Sequence, residues 1–321
     1  AMETGPDVLV QSVTELEVDD AFLALARERG VMVVPTLWVF QSYALVFAGQ
    51  FEPTDEELAM ADPHILGSLF DIRGMSHSDL PQRALDLRGR EDLHTPSTVA
   101  LTNVRKLHQS GVRLAAGTDA GNIGALHGPS MFRELELMAA SGMDNHDVLI
   151  AATLHGAALV GKEEQLGSVE RGKLADLVLL NSNPLEDIGR CADIAHVIKD
   201  GTLFDPDALL PPSPEDVAQM QLNAYNARNL DAFLAVYHPD VEVYSFPSKH
   251  LYTGREQMRD IYGEFFALAE DLHCRLLDRI TYENTVIDRE YVTGVHRQDV
   301  VEAVAIYEIS DGFIRKVFFI Q

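Results

Sequence analysis

The chain has 321 residues, 46% of them hydrophobic, and a formal net charge of −25 at pH 7. This length and composition are typical of a globular protein with room for two domains. A surface this acidic repels phosphate backbones and anionic lipid, so we expect neither nucleic acid nor a membrane as a partner.

The first two-thirds of the chain alternate short apolar strands with amphipathic helices. The sequence predicts strands at Val8–Val10, Val31–Leu37 and Val112–Ala116, and Pro35 is expected to end the second of these. It predicts helices at Val18–Arg29, Ser42–Phe51, Asp55–Ala61, Thr98–Ser110, Ser130–Met143 and Asn145–Gly161, with residues 38–96 the least regular stretch. This order favours a parallel sheet covered by helices, with Val8–Val10 as an edge strand. The pattern begins as if within a domain.

After Gly161 the pattern changes to strands and turns. Strands are predicted at Gly167–Val169, within Gly172–Leu180 and at His196–Gly201, followed by a proline-rich linker at 205–212. Ser213 and Pro214 then read as the N-cap and first position of a helix.

The final segment predicts a compact α+β unit. Its helices are expected at Pro214–Asn226, Leu230–Tyr237 and Gly254–Ala269. Its strands are expected at Val241–Ser245, Cys274–Thr281, Thr285–Thr293, Val300–Ile309 and Phe313–Ile320. Asp311-Gly312 is a hairpin turn between the last two strands. We therefore place two domains, at residues 1–209 and 213–321.

The motif Gly117-Thr118-Asp119-Ala120-Gly121 follows a predicted strand and precedes a helix. Catalytic residues of β/α barrels lie at the carboxyl ends of strands, so Asp119 is a candidate catalytic residue. Turns between strands and helices also use Gly and Asp for geometry alone.

Several segments together resemble the amidohydrolase superfamily, in particular its imidazolonepropionase-like and prolidase-like members. They occur in the family's order: Val31–Leu37, Gly117–Gly121, His127-Gly128, Glu134-Leu135, Ala152–Gly161, Gly172–Val178 and Asn183–Leu185. The resemblance implies a TIM-type β/α barrel with a small β appendage, and hydrolysis of C–N bonds other than peptide bonds. It also implies a zinc-type divalent metal, with Asp119 as a metal ligand and proton shuttle.

The departures from the family pattern concern the metal. The family's His-x-His pair is not found in this sequence, and Gln11 stands where the family has a histidine. A neutral amide is a poor ligand beside imidazole. Asp119 is then the only remaining family ligand, so we expect the chain to bind no catalytic metal and to be inactive alone. The pattern fits half of a barrel, so the chain is interpreted as a fragment, a degenerate homologue or a barrel completed by another chain.

Other histidines are weighed as substitute ligands. His127 follows the Asp119 loop and could face a substrate pocket or cap the loop. His64, His77 and His94 lie in the irregular stretch 38–96, where surface histidines are common.

The segment 213–321 resembles the nuclear-transport-factor-2-like superfamily, which includes SnoaL-like proteins. The residues that carry the resemblance are Ala224–Phe233, Tyr237–Glu242, Tyr252–Glu256 and Val304–Gly312. The resemblance implies a cone-shaped α+β fold and self-association through this domain. It leaves open a ligand-binding module, a dimerising module and an isomerase or cyclase, since this fold carries many functions.

Asp288 and Glu290 share one face of a strand, because they are two residues apart. With His296 they could line a pocket, although a solvated face is the preferred interpretation. Tyr225 and Tyr262 could line the same pocket or belong to the core. Together with Gln11 and His127, these are the candidate substrate-pocket residues.

Two cysteines, Cys191 and Cys274, fall in different predicted domains, so no disulfide framework is expected. Neither a signal peptide nor a membrane-spanning run is evident, and we expect a cytoplasmic protein that binds a small-molecule substrate.

Overall fold

The computed structural model describes residues 5–209, 211–269, 271–295 and 300–320, without the side chain of Asp207. The strands, in chain order, are β1 Val8–Val10, β2 Met32–Val34, β3 Arg113–Leu114, β4 Leu177–Leu180, β5 Ile194–Lys199, β6 Thr202–Phe204, β7 Tyr237–Ser245, β8 Lys249–Thr253, β9 His273–Tyr282, β10 Thr285–Thr293, β11 Val300–Ser310 and β12 Phe313–Ile320.

The α-helices follow the same numbering. They are α1 Asp20–Glu28, α2 Leu37–Ala48, α3 Asp55–Met60, α4 Pro63–Ser68, α5 Gln82–Leu87, α6 Thr98–Gln109, α7 Ser130–Ala140, α8 Asn145–Ala152, α9 Leu154–Leu159, α10 Pro206–Leu209, α11 Pro214–Asn226, α12 Leu230–Ala235 and α13 Arg255–Leu268. The chain divides into two compact units. One contains residues 1–48 and 87–210, and the other contains residues 49–86 and 211–321.

The first unit is built on a parallel sheet in the order β1-β2-β3. Every residue of the central strand β2 is buried, because helices cover both faces of a parallel sheet. The predicted parallel sheet and the edge position of β1 are confirmed. The finer prediction of a partial barrel is not established by this three-stranded sheet and stays a prediction.

Two predicted elements of the first unit differ from the structure. Strand β2 ends at Val34, as Pro35 indicated, but the helix predicted near Ser42–Phe51 begins earlier, at Leu37. The single helix predicted over Asn145–Gly161 is two helices that meet at Thr153. Thr153 has ψ −78°, and its hydroxyl donates a hydrogen bond to the carbonyl of Leu149 at 2.6 Å. This side-chain bond competes with regular helical geometry and breaks the helix there.

A small antiparallel sheet in the order β4-β5-β6 closes the first unit. It matches the predicted β appendage, although Gly167–Val169 is not a strand.

The second unit contains a six-stranded sheet in the order β8-β7-β12-β11-β10-β9. Only the β12–β7 pair is parallel. The helix α11 contacts β9 to β12, and α13 contacts β7 and β8, so helices and sheet enclose one core. Its largest fully buried side chains include Tyr237, Tyr307, Phe233 and Met258. The helix predicted at Pro214–Asn226 begins and ends as predicted, with Ser213 in a capping box.

Residues 49–86 belong to the second unit, and the sequence did not indicate this. Helices α3 and α4 contact α11, and the 3-10 turn Asp71–Gly74 contacts β9. Asn229 Nδ2 donates to Asp55 at 2.6 Å, and Arg73 Nη1 donates to the carbonyl of Asn226 at 3.4 Å. The segment therefore packs on the α+β unit through specific polar contacts.

Candidate functional site

The second unit contains a cavity of about 430 Å³ between its helices and its sheet. The wall is mostly apolar and aromatic, with a polar group formed by Gln221, Glu290 and Tyr307. The other lining residues are Leu222, Tyr225, Ile261, Tyr262, Phe265, Cys274, Val292, Val295, Val301, Ala303 and Phe319. Small-molecule sites commonly have this composition, a concave apolar wall with a few placed polar groups.

Glu290 is the acidic group of the cavity. Strand β10 points Val286, Asp288, Glu290 and Val292 to the buried side, and Glu290 is 8% exposed. The preferred interpretation of a solvated face is therefore wrong. Burial raises the pKa of Glu290 to about 7, with a smaller contribution from the charge of Asp288. At neutral pH this carboxyl group is close to half protonated, so it can accept or donate a proton.

Tyr307 lies beside Glu290 and was missed by the sequence analysis. Its hydroxyl is 3.1 Å from Glu290 Oε1 and 3.4 Å from Gln221 Oε1. Burial raises the pKa of Tyr307 well above its ordinary value, so the phenol keeps its proton and acts as a donor. The only available signal was alternation along β11, where every second residue faces inward.

Asp288 is fully buried but does not line this cavity. Its two oxygens accept hydrogen bonds from Arg279 Nε at 2.7 Å and Nη2 at 2.6 Å. This bidentate geometry is the strong form of a carboxylate–guanidinium pair. Asp288 was predicted as a pocket residue, and the structure places it behind the wall as the partner of Arg279.

The tyrosines named as alternatives are both lining and core residues. Tyr225 and Tyr262 line the cavity, and each packs on Phe233, with ring centroids 6.2 Å and 4.5 Å apart. His296 lies outside the described residues, so its predicted place in the pocket stays a prediction.

The first unit carries the second candidate region, at the carboxyl edge of its parallel sheet. Gln11 Nε2 lies 3.3 Å from Asp119 Oδ2, so side chains that follow β1 and β3 meet. Three non-glycine residues there have a positive φ: Gln11 at 78°, Thr36 at 44° and Asp119 at 53°. Such strain often accompanies functional sites, and Thr36 also has a buried hydroxyl oxygen without a partner.

The loop that carries Asp119 is fixed against α2. Trp38 Nε1 donates to the carbonyl of Gly124 at 3.0 Å, and the Tyr43 hydroxyl donates to Asn122 at 2.7 Å. Buried Glu134 accepts the backbone N–H groups of Leu37 and Trp38 at 2.9 Å each. Burial raises the pKa of Glu134 to about 7. Glu134 thus stabilises the start of α2, and α2 positions the loop.

The other candidate histidines are distributed over both units. His127 is exposed, and its Nε2 lies close to Gly121. A Cβ added at Gly121 would be 3.5 Å from this nitrogen. His64 lies in the other unit and pairs with Asp216 at 3.2 Å. His77 is exposed and lies within residues 49–86. His94 is also exposed and is the last residue of the 3-10 turn Asp92–His94.

The donor set around Asp119 does not fit a catalytic metal. Within the described ranges, the one place where three possible ligand groups lie within 4.8 Å of one another is Asp144, His146 and Asp147. That cluster is on the surface, and Asp144 already caps α8 by accepting the N–H of Asp147 at 2.9 Å. Asp119 meets an amide instead of imidazoles, and a single carboxylate cannot hold zinc.

The comparisons with known proteins identify both regions. Residues 76–204 match the amidohydrolase family, and residues 218–317 match the SnoaL-like domain. The chain therefore combines an amidohydrolase region with a SnoaL-like domain of the nuclear-transport-factor-2-like type, and both predicted resemblances are confirmed. No helix within the described part of the chain is long and apolar enough to cross a membrane.

The similar proteins cover only part of the chain. A 5-methylthioadenosine/S-adenosylhomocysteine deaminase of Teredinibacter turnerae is 38% identical over 87 residues, 25% of this chain and 20% of that protein. An imidazolonepropionase of Thermoanaerobacter pseudethanolicus is 30% identical over 100 residues, 30% of this chain and 23% of that protein. The match therefore spans about a fifth of the length of these curated relatives.

A solved structure of a Xaa-Pro dipeptidase with bound methionine is 25% identical. The alignment covers 64% of this chain and 41% of the dipeptidase chain, with a TM-score of 0.45.

Proposed function

We propose that the SnoaL-like domain is the chemically active part of the chain. In this proposal its cavity binds an apolar small molecule with a carbonyl group, and Glu290 moves a proton on the adjacent carbon. The observation that supports this is the pair of Glu290 and Tyr307 in an apolar cavity. Glu290, with a pKa of about 7, accepts the proton as the C–H bond breaks, and the Tyr307 hydroxyl donates a hydrogen bond to the carbonyl oxygen.

Proton exchange on a simple ketone tests this proposal. The probe is 2-tetralone, an apolar bicyclic ketone whose α-protons exchange with D2O and are followed by NMR. We expect the chain to accelerate this exchange and Glu290→Gln to reduce the acceleration by about 100-fold or more. Glu302→Gln is the matched control, because that glutamate lies on β11 with its side chain 60% exposed. Equal rates in Glu290→Gln and the unchanged chain would refute the role of Glu290.

For the amidohydrolase region we propose that Asp119 belongs to the site of a C–N hydrolase of the amidohydrolase family. The support is the match over residues 76–204 and the convergence of Gln11 and Asp119. Its relatives include a deaminase, so ammonia release is the reaction to assay. We also propose that the described residues alone do not complete the metal site, because Gln11 stands where the family resemblance implies a histidine ligand.

Metal content and ammonia release decide this second point together. After dialysis against zinc-containing buffer, we expect well below one zinc per chain by elemental analysis. We also expect no ammonia from 5-methylthioadenosine. Asp7→Asn serves as a control for Asp119→Asn, since Asp7 is an exposed carboxylate of the same unit. One zinc per chain that is lost in Asp119→Asn and retained in Asp7→Asn would show that the metal site is complete.

A further inference from the structure

A series of buried hydrogen bonds begins at Asp288, the residue next to Glu290 on the buried face of β10. Asp288 is held by the bidentate contact with Arg279, whose side chain is 7% exposed. Arg279 Nη1 donates a further hydrogen bond to Gln219 Oε1 at 2.8 Å. Gln219 lies on α11 and is 7% exposed. The guanidinium group is therefore fixed from two sides, by β10 and by α11.

The series of hydrogen bonds continues from α11 to α4. Gln219 Nε2 donates to Asn223 Oδ1 at 2.9 Å, and Asn223 Nδ2 donates to the carbonyl of Pro63 at 2.7 Å. Pro63 is the first residue of α4. Hydrogen bonds thus run without a break from α4, within residues 49–86, to the strand that carries the acid of the cavity.

Gly67 of α4 makes this contact possible. A Cβ at Gly67 would lie 2.4 Å from Gln219 Nε2 and 2.9 Å from Asn223 Oδ1. Neither distance is compatible with ordinary packing, so a methyl group there must displace the two amides. Because both amides are buried and bonded to each other, a displacement interrupts the series of hydrogen bonds at its middle.

Asp288 and Arg279 act on Glu290 by charge. Asp288 lies two residues away on the same face and disfavours a second negative charge, whereas Arg279 favours it. Other titratable groups that face Glu290 come from five further elements: Tyr307 on β11, Cys274 on β9, Tyr225 on α11, Tyr237 on β7 and Tyr262 on α13. These are neutral phenols or a thiol at neutral pH, so the ion pair is the main charged influence on Glu290.

We propose that Asp288, Arg279 and Gln219 are positioning residues that set the charge state of Glu290, and that helix α4 completes this device through Asn223 and Gly67. Residues 49–86 are then a functional part of the cavity site. The inference rests on the proposed role of Glu290, and it adds a way in which a neighbouring segment controls that residue. Movement of α4 would change how firmly Arg279 compensates Asp288.

The test is an NMR titration of the full chain without any ligand. The protein is labelled with 13C at the glutamate side-chain carboxyl carbons, and the Glu290 signal is identified by its loss in Glu290→Gln. Asp288→Asn removes the neighbouring negative charge and leaves Arg279, so the midpoint of Glu290 should fall by about one pH unit. Gly67→Ala should raise the midpoint by about half a unit, because Arg279 loses its acceptor on Gln219.

Two further variants make the result specific. Gly156→Ala is the matched control, since Gly156 lies in α9 of the other unit and a Cβ there would meet its nearest atom at 3.9 Å. It should leave the midpoint unchanged. Gln219→Met removes the acceptor without adding a group at the α4 contact, so it should raise the midpoint even if Gly67→Ala fails to fold.

Each outcome bears on one part of the proposal. If Asp288→Asn does not lower the midpoint, the ion pair does not set the charge state of Glu290. If Gly67→Ala folds and leaves the midpoint unchanged, α4 has no part in the device. If Gln219→Met leaves it unchanged, the contact of Gln219 with Arg279 does not influence Glu290. Because no ketone is present, these results are independent of whether the cavity accelerates proton exchange on 2-tetralone.

Discussion

Glu290 is the residue whose chemistry depends most on the fold. Its folded pKa of about 7 lies above the ordinary value of 4.5, and burial is the largest cause. Between these two values the folded state holds a proton that the unfolded chain has released. The group's contribution to stability is therefore complete below about pH 4.5 and is lost as the pH rises through about 7.

This sign gives a prediction for Glu290→Gln, which cannot titrate. The free energy of unfolding of the variant minus that of the unchanged chain should increase by roughly 2 to 3 kcal/mol from pH 4.5 to pH 8. The reason is that only the unchanged chain loses the contribution of Glu290 as the pH rises. Hydrogen exchange of peptides from β10 and β11 measures the difference within the second unit. The single tryptophan, Trp38, lies in the first unit and would not report it.

Glu302→Gln provides the control for that measurement, and its difference from the unchanged chain should stay flat with pH. Subtracting the free energy of unfolding of the unchanged chain from that of the variant at each pH cancels the contributions of other groups whose pKa is shifted. Among these are Glu134, whose pKa is also raised to about 7, and His273, whose pKa is lowered by burial to about 4. A flat difference for Glu290→Gln would mean that Glu290 titrates in the folded protein as it does in water.

At the scale of elements, helix ends were predicted well where a side chain marks them. The sequence Ser213-Pro214-Glu215-Asp216 predicted the start of α11, and the structure has Ser213 and Asp216 in a reciprocal capping box. The end of β2 was predicted from Pro35, but the start of α2 at Leu37 was not, because Glu134 caps this helix from 97 positions along the chain. Local patterns carry local contacts, and a distant carboxylate leaves no mark in the sequence beside the helix that it caps.

The cap of α11 leads to a quantitative prediction. Ser213 Oγ lies 3.1 Å from the N–H of Asp216, and the Asp216 side chain accepts the N–H of Ser213 at 2.9 Å. Ser213→Ala should lower the free energy of unfolding of the second unit by about 1 kcal/mol, since one helix donor loses its partner. Calorimetry of the unit's thermal transition measures the loss.

Ser182→Ala is a suitable comparison for Ser213→Ala, because the Ser182 hydroxyl bonds to Asp193 on an exposed surface of the other unit and caps no helix. It should leave the second unit unchanged. An equal effect of the two substitutions would indicate that the capping box adds nothing to α11.

At the scale of the molecule, motifs predicted the two families, but the cavity required the fold. Glu290 and Tyr225 were named from the sequence as pocket candidates. Tyr307 and Gln221 were not named, because their place depends on how β11 and α11 face each other across the core. The same applies to Asp288, whose partner Arg279 sits opposite it on the neighbouring strand.

The assignment of residues 49–86 to the second unit also required the fold. This segment precedes the α+β unit by more than a hundred residues and lies inside the predicted first domain. Its contacts with α11 include the carbonyl of Pro63, the ring of His64 and the close approach that Gly67 allows. Such groups leave no periodic pattern in a sequence, so the association could be observed only in three dimensions.

The last prediction concerns residues 213–321 expressed alone. The six-stranded sheet and α11 to α13 form a core of their own, so we expect a cooperative thermal transition. Without residues 49–86, the buried side chains of Gln219 and Asn223 would face water on α11. We therefore expect faster hydrogen exchange in α11 than in the full chain, whereas β10 to β12 keep their slow exchange. A peptide of residues 49–86 added to the domain should restore protection in α11, and a peptide with Gly67→Ala should restore less. Absence of any cooperative transition in residues 213–321 would show that residues 49–86 are required for this unit to fold. Unchanged exchange in α11 would show instead that α4 does not stabilise the helix on which the Gln219–Asn223 pair depends.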